Sequence, residues 1–479
     1  MLSKTDFIHF LDSPMHLWAY KHDQLDAGEE SPFVQHLFKE GYKAEKLAKK
    51  YLQSFVLPTF TKAKLAWQHD YTDEDFYAKS DAVIFDEDSN AYHIFEIKSG
   101  TKVKPENLYD ATFQTLVCEA YVPIGSVSIL HLNKDYLRDG ELNLNDLFAV
   151  EDVTEKVMNM REEVLNLRKA ALQVIEAETP QKLASCYQPQ SCPCLTLCHP
   201  GLPEYSIYEL MQIRQSQKEK LLADGLVEIA AIPDDYPLKD FQLRQVQAVK
   251  HNQPVIKHEA IKQELDKLTY PLWFLDYETY LSALPLWDRC KPQQQNVFQY
   301  SLHKLDHPDS KLEHFEYLCM DSDEPAKRVL KYLRQHLGET GSVIVWNKTF
   351  EMGRNKEMAV MYPKYADFLH RINSRVWDLM EIFKQGLYIH PEFHGSWSIK
   401  NVLPVLVPEL TYKGMSIAKG DEAMLAWWDL VHQRHSELDS ESIKHKDSIK
   451  QALLEYCQLD TLAMVEIWKK LSRLENRFW

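Results

Sequence analysis

The chain has 479 residues, 45% of them hydrophobic and 26% charged, and a formal net charge of -16. That length holds two or three domains with cores of their own. The charge excludes broad, non-specific polyanion binding but leaves room for a local basic cleft. No apolar run is long enough to cross a bilayer and Met1–Asp6 lacks signal-peptide character, so a cytoplasmic protein without a membrane partner is expected.

In chain order, residues 1–30 read as one helix with Phe7, Phe10, Leu11, Trp18 and Tyr20 toward a core, and 33–56 as a second, charged helix carrying Glu40, Gly41 and Glu45. Strand-like runs at 76–85 and 91–98 flank the turn Asp86–Asn90. A helix around 108–121, a strand at 127–132 and a long helix at about 152–177 follow. Residues 201–268 are polar, rich in Gln and Lys, and read as a helical connector. From Trp273 a second α/β segment has strands at 273–278, 296–302 and 312–318, a helix over 324–337 and a strand at 343–346. Helices then dominate, the last at 449–473, with His435–Ser448 read as a surface loop before it.

Asp81 on one strand and Glu96-Ile97-Lys98 on the next form a D…E-x-K pattern. Alternation puts Glu96 and Lys98 on one face, with Ile97 behind them. Asp81 and Glu96 can share a divalent ion, while Lys98 can orient water or stabilise developing phosphate charge. E-x-K alone is common and also describes a surface ion pair. Context comes from Gln114 on the next helix, Tyr121 seven residues on, and Gly41 and Glu45 upstream. Together these residues resemble the RecB-like branch of the PD-(D/E)XK nuclease superfamily. The resemblance implies a restriction-endonuclease-like domain over 1–200, with Gln114 in the catalytic set. It also implies a further metal ligand at Glu45, with Glu40 as the second choice.

Cys186, Cys192, Cys194 and Cys198 fall within thirteen positions, a clustering that points to metal or cluster ligation rather than disulfides. RecB-like nucleases often carry a [4Fe–4S] cluster here, held by one N-terminal and three C-terminal cysteines. The opening Ser3–Phe7, Ser13-Pro14 and Leu17-Trp18 resembles theirs, but Ser13 stands where that Cys is expected. By that resemblance the fourth ligand is Cys186, or the cluster is absent. Thiolates with the adjoining His199 also suit Zn²⁺, so an iron–sulfur cluster, zinc and an unmetallated loop all stay open. Cys118, Cys290, Cys319 and Cys457 read as small apolar packing residues.

The run Phe274-Leu275-Asp276-Tyr277-Glu278-Thr279 is apolar up to its first carboxylate, as in a buried strand that surfaces at its end. Asp276 and Glu278, two apart, aim to one face and repel each other unless a cation lies between them. Downstream, Trp346–Glu351 sits where a strand exits into a helix, and Tyr456 and Asp460 share a face of the last helix. Three strands, a helix and another strand are the core order of an RNase H-like fold. The set resembles the tyrosine subgroup of the DEDD exonuclease superfamily. The resemblance implies that Asp276, Glu278, Glu351 and Asp460 hold two Mg²⁺ or Mn²⁺ ions and that Tyr456 positions and helps activate the attacking water. It also implies 3′→5′ polarity. Glu351 departs from the family, which usually has Asp there. Asp378 reads as a helix cap.

The chain as a whole, through Leu130–Tyr136 and Gly395–Lys400, resembles a bacterial family that fuses these two domains. The expectation is an α/β chain with a PD-(D/E)XK domain at 1–200, a connector at 201–268 and an RNase H-like DEDD exonuclease domain at 269–479. It would be a metal-dependent DNA-binding or RNA-binding hydrolase, a nuclease whose partner is nucleic acid, with single-stranded ends favoured. Protein partners are not specified. The alternative is a nucleic-acid-binding or scaffold protein in which one or both sites are degenerate.

Overall fold

The computed structural model describes residues 1–26, 31–73, 75–432 and 440–474, the side chains of 440–443 excepted. The chain is mixed α/β and forms two compact units. One comprises Met1–Gly201 with Ser282–Gln294, the other Leu202–Leu281 with Gln295–Trp479. Residues 202–268 therefore belong to the second unit, where the segment read as a connector carries helices at Gln215–Ala223, Asp240–His251 and His258–Leu265. Among the described residues, no helix is long and apolar enough to cross a membrane.

The first unit is built on six strands: β1 (Leu2–Ser3), β2 (Ala63–Asp73), β3 (Phe76–Asp86), β4 (Ala91–Lys98), β5 (Ile124–Leu132) and β6 (Phe148–Asp152). Their order is β1-β3-β4-β5-β6, with β2 also on β3; β4 and β5 are parallel. Alternation along the strands divides the core in two. Val83, Ile94, Val127 and Ile129 pack with Phe7, Phe113 and Val157 on one face. Ala82, Ile84, Phe95 and Leu130 pack with Ala44, Ala48 and Leu52 on the other. By the same alternation Asp81, Glu96 and Lys98 share the face of Val83 and Ile94, covered by the helices Lys4–Asp12 and Pro105–Cys118.

Several boundaries differ from the sequence reading. The first helix is two, Lys4–Asp12 and Pro14–Lys21. Ser13 between them is extended, at φ -166° and ψ 138°, because the residue before proline is pushed out of the helical region. Residues 27–30 lie outside the described residues. Tyr20 is exposed rather than a core contact, whereas Phe7, Phe10 and Trp18 are buried. The helix Pro32–Tyr51 ends in a π-turn over Leu52–Val56. β2 escaped notice because Lys64, Gln68, His69 and Asp70 break its apolar alternation.

The second unit pairs β7 (Val255–Ile256) with a later strand and centres on β8 (Leu272–Leu281). β9 (Gln295–Leu305), β10 (Glu313–Leu318), β11 (Ser342–Val345), β12 (Val376–Asp378) and β13 (Tyr388–Ile389), the partner of β7, complete it. The main sheet has the order β10-β9-β8-β11-β12: β8, β9 and β10 are antiparallel, while β11 is parallel to both β8 and β12. β12, three residues long, gave no periodic signal. The last helix runs Ser440–Arg473, so residues 440–448, read as loop, are helical, and 435–439 lie outside the described residues. Against this sheet Trp427 stacks on Phe298 with centroids 4.4 Å apart and donates its Nε1–H to the Cys319 carbonyl at 2.7 Å.

Gly341 fixes where β8 and β11 meet. Its φ is +84°, and a Cβ there would lie 1.9 Å from the Pro271 carbonyl oxygen. Gly341→Ala is expected to destabilise the second unit by at least about 1–3 kcal/mol, measured as a lower urea midpoint. An unchanged midpoint would show that the β8–β11 start tolerates a side chain.

Candidate functional site

Asp276 and Glu278 stand on the central strand of the second unit, on the same face, while Tyr277 between them donates its hydroxyl to Asn355 Oδ1 at 3.0 Å. Directly after Glu278 the β8–β9 register slips by a bulge, Glu278 facing Gln299 and Thr279 facing Val297. Bulges re-aim the side chains beside them. Glu351 enters from the first turn of the helix Lys348–Met361, and Tyr456 and Asp460 from the last helix. Asp276, Glu278, Glu351, Tyr456 and Asp460 line one cavity of about 220 Å³ with Trp346, Asn347, Phe350 and Lys400. The sequence-predicted set is thus brought together.

The cavity is short of positive charge. Glu278, Glu351 and Asp460 are buried, and Lys400 is the one cation among the lining residues described. Burial, then Asp460, Glu278 and Glu351, pushes Asp276 well above the usual carboxylate range. Burial and Asp460 do the same to Glu278, against the pull of Lys400. Glu351 is pushed up to about 8 by burial and by Asp378, and Asp460 to about 6 by burial. One oxygen of Glu351, Oε2, is buried with no hydrogen-bond partner.

Three residues of this site were not assigned to it in the sequence reading. Tyr412 donates its hydroxyl to Asp460 Oδ1 at 2.5 Å. Lys400 Nζ donates to the Ala418 carbonyl at 2.7 Å and lies 5.5 and 5.4 Å from the ring centroids of Tyr412 and Tyr456. Cys457, read as apolar packing, points its Sγ at Asp276 Oδ2 at 3.8 Å, and its sulfur and the two strand carboxylates lie within 4.8 Å of one another. Burial and these carboxylates push the thiol's pKa well up, so it stays protonated. Asp378 is a cap: its Oδ2 accepts from Lys348 N at 3.0 Å and its Oδ1 from Met380 N at 3.1 Å.

In the first unit Asp81, Glu96, Lys98 and Gln114 also meet. Lys98 Nζ donates to Glu96 Oε1 at 2.6 Å and to Asp110 Oδ2 at 2.8 Å, and Gln114 Nε2 to Glu96 Oε2 at 2.8 Å. The reading missed Asp110 and Lys4, whose Nζ stands 2.6 Å from Glu96 Oε1 and 3.1 Å from Asp110 Oδ1. Asp81 accepts from Ile97 N at 2.9 Å and Gln68 Nε2 at 3.2 Å. Burial would raise Glu96, but Lys98 and Lys4 outweigh it and hold the carboxyl down to about 2. Asp81 is pushed up to about 6 by burial and by Glu96. Glu45 takes no part in these bonds: its helix packs on the other face of the sheet, and it pairs with Lys49 at 2.7 Å. Glu40 is buried, accepting from Ser282 Oγ at 2.5 Å and Ala283 N at 3.0 Å. Tyr121 is exposed and bonds the Thr72 carbonyl.

The cysteines gather against Met15 and Ala19 of the helix Pro14–Lys21. Cys186, Cys194 and Cys198 are buried, Cys192 is partly so, and all are free thiols. Ser13 caps the helix Pro14–Lys21 and donates to the Ala184 carbonyl at 2.9 Å.

Residues 273–398 match a family described as a domain of unknown function, DUF2779. That stretch contains Asp276, Glu278 and Glu351 and ends before Lys400, Tyr456 and Asp460. The chain is 28% identical over 245 residues to the uncharacterized protein UU173 of Ureaplasma parvum, covering 47% of this chain and 34% of that protein. It is 27% identical over 225 residues to the uncharacterized protein MG366 homolog of Mycoplasma pneumoniae, covering 43% and 33%. The alignments thus span about a third of these curated relatives' own length.

The raised carboxylates make a pH prediction. A folded-state pKa above the unfolded value means that the fold holds protons the unfolded chain releases. This contribution is fully present below about pH 4 and is lost as pH rises through about 6 for Asp460 and about 8 for Glu351. In EDTA the apparent melting temperature of the second unit is expected to fall between pH 5 and pH 8.5. If the carboxylates hold Mn²⁺, saturating ion at the high end, at 100 times its Kd, is expected to restore about 2.7 kcal/mol. A melting temperature that ignores both pH and Mn²⁺ would contradict the crowding of these acids.

Proposed function

We propose that the chain is a metal-dependent nuclease hydrolysing phosphodiester bonds of DNA or RNA, with its principal site in the carboxylate cavity of the second unit. The observation that carries this reading is the burial of Glu278, Glu351 and Asp460 beside Asp276 with one lysine among the lining residues. Such a set ionises stably only around cations, and an all-oxygen donor set favours Mg²⁺ or Mn²⁺. The unpartnered Glu351 Oε2 fits that demand. Further support for an RNase H-like exonuclease comes from the strand order, with the acid pair on the central strand and two strands added parallel on its far side.

Asp276, Glu278, Glu351 and Asp460 would hold the ions, which when bound supply charge to stabilise the attacking and leaving oxygens of an in-line displacement. Burial and Asp460 keep Tyr456 a phenol, its pKa far above the ordinary value. It therefore orients a water by hydrogen bonding rather than by taking its proton. Tyr412 holds Asp460 in place, and Lys400 can bind a non-bridging phosphate oxygen at the cavity wall. The longer Glu351 replaces the Asp of the similar exonucleases.

For the first unit the reading is a second, PD-(D/E)XK-like hydrolytic site at Asp81, Glu96 and Lys98. Lys4 favours the rival, in which this set is a closed ion network, because Lys4 already neutralises Glu96 where a metal would bind. Lys4→Met is expected to raise Mn²⁺ affinity here by about tenfold, corresponding to about 1.4 kcal/mol, as read by calorimetry in an Asp276→Asn background. No Mn²⁺ binding in that variant would assign the first unit a structural or binding role.

The activity itself is tested with single- and double-stranded DNA and RNA labelled at either end. Asp276→Asn is expected to lower Mn²⁺-dependent degradation about 10²–10³-fold, and Tyr456→Phe about 10²-fold, with 3′→5′ products. Equal degradation by the wild type and an Asp276→Ala/Lys98→Ala double variant would remove the nuclease reading.

A further inference from the structure

His16, on the second helix of the first unit, was no part of the cysteine motif, yet its side chain reaches it. Its Nε2 lies 3.3 Å from Cys192 Sγ. One ligand atom each from His16, Cys186, Cys192 and Cys198 lies within 4.8 Å of all the others. We propose that these four residues hold a single tetrahedral Zn²⁺-class ion, with Asp12 orienting the imidazole, independently of either carboxylate site.

The limit of 4.8 Å on their mutual separations suits one shared ion. With Zn–S near 2.3 Å and Zn–N near 2.0 Å, tetrahedral ligand atoms stand roughly 3.5–3.8 Å apart. A [4Fe–4S] cluster takes one protein ligand, usually a thiolate, on each of four irons and so spreads its ligand atoms further apart than these four. Three thiolates and one imidazole form a structural zinc set, and soft sulfur donors disfavour Mg²⁺ and Ca²⁺.

The histidine is prepared for this role by its other nitrogen. His16 Nδ1 lies 2.5 Å from Asp12 Oδ2, which leaves Nε2 to face the sulfurs. A carboxylate behind a ligating histidine fixes its tautomer and strengthens it as a donor. Asp12 and His16 are four apart across the break at Ser13, so the kink that Pro14 imposes does not separate them.

Hydrogen bonds to main-chain and side-chain oxygens hold the two segments in register. Met15 N donates to the Ala184 carbonyl at 3.4 Å, Asp26 N to that of Pro193 at 2.7 Å, and Leu195 N to Asp26 Oδ2 at 3.0 Å. Ser13 is spent on capping and on Ala184. The N-terminal ligand is therefore His16, one turn beyond the position where a cysteine was expected. Cys194, with its Sγ 3.7 Å from that of Cys198, and His199, with its Nε2 3.4 Å from Cys186 Sγ, lie beside these four but outside the group whose ligand atoms are all within 4.8 Å of one another.

The test uses the full chain, reduced and freed of metal, titrated with Co²⁺ and then Zn²⁺, alongside metal analysis of the protein as purified. One Co²⁺ per chain, with the intense visible absorption of a tetrahedral thiolate-rich site and displacement by Zn²⁺, is expected. His16→Ala and Cys192→Ser should weaken Co²⁺ binding by more than 100-fold, and Asp12→Asn by about 10–100-fold. Cys194→Ser should leave binding unchanged. His16→Cys, which restores a soft donor, should keep the ion and guards against a His16→Ala chain that fails to fold. Four irons per chain with the brown absorption of a cluster, Co²⁺ binding indifferent to His16→Ala, or no Co²⁺ binding at all would each overturn the proposal.

Discussion

Charge that is buried must be answered by charge or by a proton, and the second unit is arranged around that constraint. Its central strand delivers two carboxylates to one face, and two helices bring two more to the same small cavity. Lys400 and the Tyr412 hydroxyl answer part of the demand. The remainder is the demand that the proposed cations would meet. The β8–β9 bulge and the Asp378 cap hold the strand end and the helix start in position, so ordinary secondary-structure chemistry maintains an electrostatically costly arrangement.

The first unit answers the same constraint from within the chain. Asp81, Glu96 and Asp110 face two lysines, and every oxygen of Asp81 and Glu96 accepts a bond from the protein. Glu96 accordingly sits at about 2, whereas Glu351 sits at about 8. Composition treats the two acid sets as equals. Their surroundings separate them: in one, two lysines already answer the central carboxylate, Glu96, while the other has a single lysine at its wall.

Much of this was legible in the sequence. An apolar run ending in Asp-x-Glu reads as a buried strand that surfaces at its end; alone it equally describes two solvated acids, and it gains meaning from Glu351 and from the four-residue spacing that places Tyr456 with Asp460. The D…E-x-K strands and Gln114 were legible for the same reason of period. Lys400, Tyr412 and Lys4 were not, because each reaches its partners from a loop or helix distant in sequence, with no spacing to betray it. His16 was hidden by the expectation of a cysteine at Ser13, a serine that turned out to be a helix cap. Glu45 misled because its helix covers the opposite face of the sheet. β2 and β12 were invisible for want of apolar alternation or of length.

The segment Ser282–Gln294 belongs to the first unit although it is threaded between two strands of the second. Glu40, buried in the first unit, draws two of its hydrogen bonds from Ser282 and Ala283. Arg138 likewise donates to the Pro285 and Leu286 carbonyls. No single cut can therefore yield two intact halves. A fragment ending at Gly201 would carry a buried carboxylate stripped of two of its donors, and the remaining fragment would carry a loop without its own core. Shuffling or transplanting either unit means moving two separate pieces of chain, and the gene cannot gain or lose one half by a simple end deletion.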